Sequence, residues 1–300
     1  MPVSPGRILC LGDAMVDILA MLPGPLSVGS DTPAPVSFQH GGAAANTSAW
    51  LTSIGVPAGF LGRVGNDAFG RELTDVLAAQ GVRVSASVDR EVPTGVCLVL
   101  VGPDGQRTMV PSAGANDRLA VSDIAPSAFD DVTRLHVSGY SLLKTGSRAA
   151  AAQALSQART LGVPVSVDAA SADPIRQIGR RAFLQLVPAT ALLLANRDEA
   201  AVLTGRLDAA EAAAALAERF EVVVVKCGAA GAVVAADRTV TAVTAVTSVP
   251  VTILDSTGAG DAFAAGLLGA LNQGIDLLTA VGQANVLGAR AVSRVGARPL

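Results

Sequence analysis

Asp255-Ser256-Thr257-Gly258-Ala259-Gly260-Asp261 lies between an apolar strand candidate at residues 249–254 and an alanine- and leucine-rich helix candidate at residues 262–271. This order predicts a strand, a tight turn and the N-terminus of a helix. The first N–H groups of a helix have no intrahelical partners and lie at the positive end of its dipole, so they bind phosphate oxygens readily. The Gly-Ala-Gly at 258–260 adds almost no bulk, which lets a phosphate approach the backbone. The turn therefore predicts an anion hole.

The carboxylate of Asp261 directly follows the last glycine. A carboxylate beside bound anions repels them, so it is useful there if it acts on a neighbouring group, such as a hydroxyl that loses its proton during phosphoryl transfer. The alternative is a helix cap after a glycine turn, because Asp is a favourable N-cap residue. Asp261 is thus predicted to be either a general base or a cap.

The same stretch resembles the C-terminal signature of the ribokinase-like (PfkB) family of carbohydrate kinases, commonly written D-T-x-G-A-G-D. His40-Gly41-Gly42-Ala43-Ala44-Ala45-Asn46 precedes a helix candidate that ends near Gly55, and it resembles the family's N-terminal signature, G-G-x-x-x-N. Residues 60–70 are also similar to the family, and the resemblance covers nearly the whole chain. It implies a doubly wound, mostly parallel α/β sheet with helices on both faces, a small β-sheet lid, and an ATP-dependent kinase that phosphorylates an alcohol group of a small sugar or polyol.

The composition excludes several other classes of protein. A chain of 300 residues that is 50% hydrophobic can bury a substantial core. A net charge of -3 with 16% charged residues offers no basic field for nucleic acid and no polybasic patch for a membrane. There is no G-x-x-x-x-G-K-[ST] and no G-x-G-x-x-G, so the fingerprints of P-loop NTPases and dinucleotide dehydrogenases are absent.

Cysteine and histidine usage favours an intracellular protein without zinc. The three cysteines are odd in number and far apart, which is typical of reduced thiols and not of a disulfide framework. The two histidines, His40 and His136, are too few for a zinc site. The apolar stretch at residues 8–22 is interrupted by Gly12, Asp13 and Asp17, so it fails as a signal peptide or membrane span. We expect a cytoplasmic location.

Two aspartates follow the first strand candidate, at residues 7–11. If the chain remains extended, Asp13 and Asp17 share a face and direct two carboxylates into one space, where they suit sugar hydroxyls. The alternative is a polar strand edge. The resemblance places a substrate-hydroxyl aspartate in this stretch, best matched by Asp17, and adds Gly41, Gly42 and Asn46 to the acceptor site.

The lid is predicted from two stretches without helical period. Residues 23–38 are rich in proline, and two apolar runs between 96 and 110 flank Pro103-Asp104-Gly105, a hairpin signal. The predicted lid spans residues 14–42 and 92–116, and the predicted core spans 1–13, 43–91 and 117–300. In the family such a lid is often the dimer surface, so we expect a homodimer. Arg107 on the hairpin is either solvated or in contact with the acceptor.

After Asn116 the sequence alternates strand and helix candidates, at residues 135–138, 147–161, 163–167, 183–187, 192–195, 208–220 and 222–226. This alternation predicts a parallel sheet covered on both faces, with ligands at the carboxyl ends of its strands. Polar residues cluster at those ends: Asp168, Asn196 with Glu199, and Lys226 with Gly228.

The resemblance assigns the nucleotide and metal roles. Asn196-x-x-Glu199 is similar to an element that organises Mg²⁺ and its waters around the triphosphate, and Lys226 and Gly228 match a strand end that contacts nucleotide. The alternatives are an ordinary helix start and a snorkelling lysine. The helix candidate at residues 276–292, which includes Asn285, approaches the adenine. Together with Thr257 and the turn, Asp255 is a candidate for a monovalent cation such as K⁺.

Three other acceptors or functions stay open. Ribokinase itself usually has G-G-K-G-A-N, and Ala43 replaces that lysine, which argues against ribose. A nucleoside would need aromatic surfaces, for which Phe38, Trp50 and Tyr140 are available. A 2-keto-3-deoxygluconate-type acid would need a cation, from Arg107 or Arg63. A non-catalytic sugar or nucleotide sensor on the same fold is the alternative outside enzymes.

Overall fold

The computed structural model describes residues 6–103, 107–189, 192–243 and 254–299. Its strands are β1 (Arg7–Leu11), β2 (Met15–Met21), β3 (Val36–Gly41), β4 (Ala58–Gly65), β5 (Arg83–Asp89), β6 (Gly95–Val101), β7 (Arg107–Ser112), β8 (Val132–Ser138), β9 (Val165–Asp168), β10 (Leu192–Asn196), β11 (Val222–Lys226), β12 (Ala232–Ala236) and β13 (Thr239–Val243). The helices are α1 (Ala43–Ser53), α2 (Ala68–Ala79), α3 (Gly139–Leu143), α4 (Arg148–Thr160), α5 (Ala172–Ile178), α6 (Arg180–Leu186), α7 (Arg197–Thr204), α8 (Ala209–Ala217), α9 (Ala259–Asn272) and α10 (Leu277–Val292).

Nine strands form the main sheet in the order β13-β12-β11-β10-β9-β8-β1-β4-β5. Neighbours from β11 to β5 are parallel, and β12 and β13 extend the edge as antiparallel strands. Alternate residues of β1 face opposite cores: Leu9 and Leu11 pack on one side, Ile8 and Cys10 on the other. Burial on both faces explains why the parallel strands are continuous apolar runs. The predicted doubly wound α/β fold is confirmed.

The order in which strands are added to the sheet changes direction next to β1. It goes from β1 to β4 and β5 on one side, and later adds β8, β9, β10 and β11 on the other. In open α/β sheets, ligands bind at this switch point, outside the carboxyl ends of the strands. Asp13 follows β1 and Ser138 ends β8, and the Ser138 hydroxyl donates to Asp13 Oδ1 at 3.0 Å. The fold thus brings polar groups to its expected ligand edge.

Four strands form a separate sheet, in the order β3-β2-β6-β7, which we call the lid. β2 and β6 are parallel, and the two outer pairings are antiparallel. These strands lie within the predicted lid segments, whose exact limits stay predictions. Residues 104 and 105 of the predicted hairpin turn lie outside the described residues, but β6 and β7 pair as that hairpin requires.

Two predicted bounds near the Gly258 turn differ from the structure. α9 begins at Ala259 and not at 262, because Gly258 adopts φ 74 as the N-cap and the chain enters the helix directly after it. Asp261 is therefore a first-turn residue and not the cap. The predicted strand at residues 249–254 lies outside the described residues except for Leu254, which has no strand conformation.

No helix among the described residues combines the length and the hydropathy needed to cross a lipid bilayer.

Candidate functional site

The turn before α9 is held by its own aspartate. Asp255 Oδ1 accepts hydrogen bonds from the N–H of Thr257 at 2.8 Å and its hydroxyl at 2.6 Å, and Oδ2 accepts from the N–H of Gly296 at 3.0 Å. Burial opposes ionisation of Asp255, but these bonds and the charge of Arg107 outweigh it and lower its pKa. A Cβ built at Gly258 would lie 2.4 Å from the carbonyl oxygen of Ala297, so only glycine fits this turn without a shift.

Arg107 reaches from the lid to this turn. Its Nη1 lies 2.7 Å from Asp255 Oδ1, and its guanidinium also contacts the hydroxyls of Ser256 and Thr257. The expectation of a solvated hairpin residue is wrong, because the guanidinium pairs with a buried carboxylate. Contact between Arg107 and the acceptor stays a prediction. The lid and the Gly258 turn are thus joined by an ion pair.

Asp261 is partly buried at the start of α9. Its Oδ2 accepts a hydrogen bond from the Asn46 side-chain amide at 2.8 Å. Burial raises the pKa of Asp261 to about 7; the Asn46 bond opposes this, and the charges of Asp168 and Asp13 add to it. A carboxylate with a pKa near neutrality is suited to proton transfer, because it is available as a base and can still hold a proton. Buried carboxylates tuned in this way are typical of functional sites.

Asp17 projects from the inner face of the lid beside the two glycines. A Cβ at Gly41 would lie 2.5 Å from Asp17 Oδ2, so the absence of a side chain there makes room for the carboxylate. Gly42, with φ 95, caps α1, and a Cβ there would meet the backbone of Asp13 and Ala14 at 2.5 Å. Burial, then the charge of Asp13, raises the pKa of Asp17 to about 6. Asp17 is therefore mostly ionised at neutral pH.

Asp13 lies outside the lid sheet and has a structural task. β2 begins only at Met15, so Asp13 precedes the strand and residues 13, 15 and 17 do not form one strand face. Asp13 Oδ2 accepts from the first N–H of α1, that of Ala43, at 3.0 Å, and Oδ1 accepts from Ser138. Asp13 nonetheless lies close enough for its charge to act on Asp17. Its carboxylate fixes the helix that carries Asn46.

Arg298, which the sequence analysis did not single out, lies in the same cluster. Its Nε donates to Asn46 Oδ1 at 3.0 Å and its Nη2 to the carbonyl oxygen of Gly41 at 2.7 Å. Burial lowers the pKa of Arg298 to about 10, against the charges of Asp17, Asp261 and Asp13. A single arginine two residues after a glycine gives no sequence signal, because loop arginines are usually solvated.

A second cluster lies at the ends of β9, β10 and β11. Lys226 Nζ pairs with Asp168 Oδ2 at 2.5 Å. Burial disfavours the charged form of Lys226, but Asp168 and Glu199 outweigh it and raise its pKa. The Nζ atom also lies 3.4 Å from the position of a Cβ built at Gly260. Lys226 therefore places a positive charge beside Gly260 at the start of α9.

Asn196 and Glu199 form a capping box at the start of α7. The backbone and side-chain nitrogens of Asn196 donate to the two carboxylate oxygens of Glu199, each at 2.7 Å, and Asn196 Oδ1 accepts from the Glu199 N–H at 2.9 Å. Burial raises the pKa of Glu199, against the charge of Lys226. The N-x-x-E element thus starts a helix, and it also puts a carboxylate next to Lys226. Its role toward Mg²⁺ stays a prediction.

Gly228 and Asn285 are the remaining candidates for contact with the nucleotide. Gly228 has φ 60, and a Cβ built there would meet nothing within 4 Å. Asn285 is buried on α10. One turn further along, a Cβ at Gly288 would come within 3.4 Å of the Ala259 carbonyl oxygen, so this part of α10 packs near the start of α9. Their nucleotide contacts stay predictions.

Within the described ranges, no three histidine, cysteine, aspartate or glutamate side chains converge in a way that would hold a metal ion.

Comparison with known proteins gives one consistent result. The family model for the pfkB family of carbohydrate kinases matches residues 6–300. The fructokinase of Salmonella typhimurium is 33% identical over 277 residues, covering 88% of this chain and 84% of that protein.

Solved structures agree with the sequence comparison. The adenosine kinase of Sinorhizobium meliloti superimposes with a TM-score of 0.88 at 26% identity, covering 99% of this chain and 97% of that one. A double mutant of the fructokinase of Vibrio cholerae O395, with fructose, ADP and a potassium ion bound, gives 0.82 at 29% identity, covering 99% and 95%.

Proposed function

The chain belongs to the pfkB family of carbohydrate kinases, and on that premise we propose that it transfers the γ-phosphoryl group of ATP to an alcohol group of a small sugar or polyol, with Asp261 as the general base. One observation carries the proposal: Asp261 is partly buried, held by Asn46 at 2.8 Å, and lies in the first turn of α9 next to the Gly258 turn. A base and an anion hole then share one helix N-terminus.

In this mechanism the protein supplies position and charge. Asp261 takes the proton of the acceptor hydroxyl as that oxygen attacks phosphorus. The N–H groups of residues 258–261 and the ammonium of Lys226 meet the negative charge on the transferring group. Asp17, Gly41, Gly42 and Asn46 hold the acceptor, and Asp13 holds α1 in place. The lid covers the reacting atoms and excludes water.

The nucleotide is assigned to the carboxyl ends of β10 and β11. Asn196, Lys226, Gly228, Thr257 and Asn285 would contact it, and Glu199 would orient the waters of Mg²⁺. The buried carboxylate of Glu199, beside Lys226, fits that task as an acceptor-only group. Mg²⁺ neutralises the triphosphate charge when it is bound. We also propose a cytoplasmic location, because Cys10, Cys97 and Cys227 are free thiols, as is usual in the reducing cytosol, and because ATP is the proposed phosphoryl donor.

A monovalent cation at Asp255 would share that carboxylate with Arg107. The Asp255 oxygens already accept from Thr257, Gly296 and the Arg107 guanidinium. A K⁺ ion there would require the guanidinium to move aside, because the two positive charges repel each other. We propose that in the closed lid Arg107 supplies charge at this carboxylate.

The structure favours a sugar over a nucleoside. Trp50 is buried, with its indole N–H bonded to the carbonyl oxygen of Ala297 at 2.9 Å. Phe38 lies on the outer face of the lid against Phe69, with ring centroids 6.0 Å apart. Of the aromatic residues suggested for base stacking, only Tyr140 is left near the carboxylate cluster, where the charges of Asp13 and Asp261 add to burial in raising its pKa.

The two arginines suggested for a sugar-acid carboxylate are engaged with protein groups. Arg63 pairs with Asp89 at 3.0 Å and Asp123 at 2.8 Å, and Arg107 pairs with Asp255. A neutral sugar is therefore the first class to test. The test is a coupled assay of ADP release with neutral sugars, sugar acids and nucleosides. Turnover with a neutral sugar supports the proposal, and ATP binding without turnover on any acceptor would favour the sensor alternative.

Asp17→Ala is expected to raise the KM for the acceptor by about 10- to 100-fold and to lower kcat by less than about 10-fold. The Asp17 carboxylate binds hydroxyls in both ground and transition states, so its loss acts mainly on KM. Steady-state kinetics at saturating ATP measures both constants. The matched control is Asp31→Ala, an exposed aspartate of the same lid, which should change neither. An unchanged KM in Asp17→Ala would mean that Asp17 does not bind the acceptor.

The outer face of the lid supports the proposed homodimer. Its register aligns Phe38, Ile18, Leu98 and Val110 in one row across all four strands. Phe38, Leu98 and Val110 are 61%, 45% and 53% exposed. A contiguous apolar surface of this kind is typical of a protein interface. We propose that two copies pack through this face.

Leu98→Lys should convert a dimer into a monomer, because a charge at the centre of an apolar interface is left without a partner. Size-exclusion chromatography with light scattering measures the mass of the protein in solution. A protein concentration of about 10 μM keeps a dimer with a micromolar Kd mostly associated. Leu207→Lys is the control, since Leu207 is 89% exposed on the core domain and away from the lid. A monomeric wild-type protein, or a dimer that survives Leu98→Lys, would contradict this assembly.

A further inference from the structure

Arg298 lies in a segment that is fixed on both sides. The segment is residues 293–299, after α10. The Trp50 indole donates to the carbonyl oxygen of Ala297 at 2.9 Å, and the Gln80 amide donates to that of Pro299 at 3.3 Å. Ala297 also packs against the backbone of Gly258. The backbone of Arg298 is therefore held between helix α1, helix α2 and the phosphate-binding turn, which fixes where its side chain points.

The guanidinium settles which way the Asn46 carboxamide faces. A guanidinium has only donors, so the group of Asn46 that it meets at 3.0 Å must be the oxygen. The amide nitrogen then faces Asp261 Oδ2 at 2.8 Å. In the flipped amide, two donors would meet at Arg298 and two acceptors at Asp261. Arg298 thus selects the orientation in which Asn46 donates to the proposed base.

The titratable groups around Asp261 come from several elements. They are Asp13 and the thiol of Cys10 at the end of β1, Tyr140 on α3, Asp168 at the end of β9, Lys226 at the end of β11, and Arg298. Lys226 is paired with Asp168 at 2.5 Å and also acts on Asp261, whereas the charge of Arg298 acts on Asp13, Asp17 and Asp261 together. With its pKa near 10, Arg298 stays charged at neutral pH and adds to Lys226 in favouring the ionised form of Asp261.

The burial of Arg298 is costly for stability. The residue is 7% exposed, and its Nη1 is buried without a hydrogen-bond partner among the described residues. A buried unsatisfied donor costs about 1–3 kcal/mol, and more when it is charged. A packed apolar side chain in its place would avoid that cost. Retaining a charge here is more easily explained by a task at the site than by stability.

We propose that Arg298 is a positioning residue for proton transfer, which holds the Asn46 carboxamide toward Asp261 and keeps that carboxylate ionised. The proposal rests on the function proposed above. It makes the acceptor site depend on residue 298 as well as on the two signature stretches.

The test is the pH dependence of kcat between about pH 5.5 and 9.5 for the wild type, Arg298→Met, Arg298→Lys and Arg294→Met. In Arg298→Met, loss of the cation and of the Asn46 orientation raises the pKa of Asp261. The acidic limb of kcat should move up by about one pH unit, with kcat lower by about 10- to 100-fold near pH 6.5 and a smaller deficit near pH 9. Arg298→Lys keeps the charge without the two-point contact, so its loss should be smaller.

Arg294→Met is the matched control. Arg294 lies in the same segment, with its guanidinium 5.6 Å from the centre of the Trp50 ring, and it is not assigned to the site. It should keep the wild-type pH profile. Thermal unfolding of each variant checks the fold, and Arg298→Lys provides the comparison if Arg298→Met does not fold.

A double-mutant cycle separates action through Asn46 from direct contact with the acceptor. If Arg298 acts through Asn46, adding Arg298→Met to Asn46→Ala should lower kcat little further. If the losses of kcat in the two single variants were additive in the double variant, the proposal would be overturned. It would also be overturned if Arg298→Lys and Arg298→Met lost the same factor in kcat, and lost it equally at every pH. A wild-type protein that phosphorylates no acceptor would instead refute the proposed function, whereas an active kinase with an unmoved pH limb would refute only the role of Arg298.

Discussion

Asp261→Asn is expected to lower kcat by about 10²- to 10⁴-fold and to leave the KM for ATP nearly unchanged. The substitution keeps the shape of the side chain and leaves an amide oxygen that can accept from Asn46, so what is removed is the ability to take a proton. Steady-state kinetics at saturating acceptor measures the effect. Near-normal turnover would mean that another group is the base.

The same substitution should stabilise the protein above neutral pH. The pKa of Asp261 is about 7 in the folded protein, against an ordinary value of 3.8 for an aspartate side chain. Between these values the folded state binds more protons than the unfolded state, so stability falls as pH rises from about 4 to 7, and the full cost remains above pH 7. A difference of about three pH units between the two pKa values corresponds to a stability cost of about 4 kcal/mol. In Asp261→Asn, however, buried Arg298 loses one of the negative charges that stabilise it. We expect a net gain on the order of 2 kcal/mol at pH 8.

Denaturant unfolding at pH 4 and pH 8 checks this prediction, since the gain should appear only at the higher pH. Asp276→Asn is the control of the same chemical type. Asp276 caps α10 by accepting from the N–H of Thr279 at 3.0 Å, and that contact lowers its pKa. Its substitution should leave kcat unchanged and should not increase stability. An equal gain at both pH values for Asp261→Asn would contradict the linkage argument.

Gly260→Val is expected to lower kcat by about 10²- to 10³-fold in a protein that folds normally. A Cβ at Gly260 meets only Lys226 Nζ, at 3.4 Å, so the fold has room for it. The branched side chain would instead occupy the space where phosphoryl oxygens approach the N–H groups of the turn. Gly258 cannot serve this purpose, because any side chain there meets the backbone of Ala297 at 2.4 Å.

Gly282→Ala is the matched control, because Gly282 lies inside α10 and a Cβ there meets nothing within 4 Å. It should leave kcat unchanged and stabilise the protein by about 0.5–1 kcal/mol. Kinetics together with circular dichroism compares the two variants. A Gly260→Val protein with wild-type kcat would show that the turn does not bind the transferring phosphoryl group.

The sequence carries most of the fold in local patterns. Apolar runs such as residues 222–226 predict buried parallel strands. Glycines such as Gly55, with φ 78, end helices where the sequence predicted. The signature stretches also bring Asn46 and Asp261 together, and the charges of Asp17 and Asp261 both act on Arg298. These features are predictable because each depends on a few neighbouring residues or on the rule that strand ends share an edge.

What the sequence could not reveal depends on contacts between distant residues. Arg107 lies 148 residues from Asp255, and no local pattern indicates that the lid reaches that turn. Arg298 pairs with Gly41 across 257 residues. The contacts of Asp13 follow from its place before β2, which starts at Met15, and therefore outside the strand alternation on which the face-sharing argument relied. Backbone geometry and long-range packing decide these three cases.

The long reach of the site's hydrogen bonds also bears on how the protein folds. Asn46 meets Asp261 across 215 residues, and Arg298 meets Asn46 across 252. Contacts of such sequence separation form late, because the entropy of closing the intervening loop must be overcome before they contribute. A folding intermediate with the nine-stranded sheet in place, but with residues 254–299 still undocked, would leave Asn46 without either partner. Catalytic competence should therefore be among the last properties that the folding chain acquires.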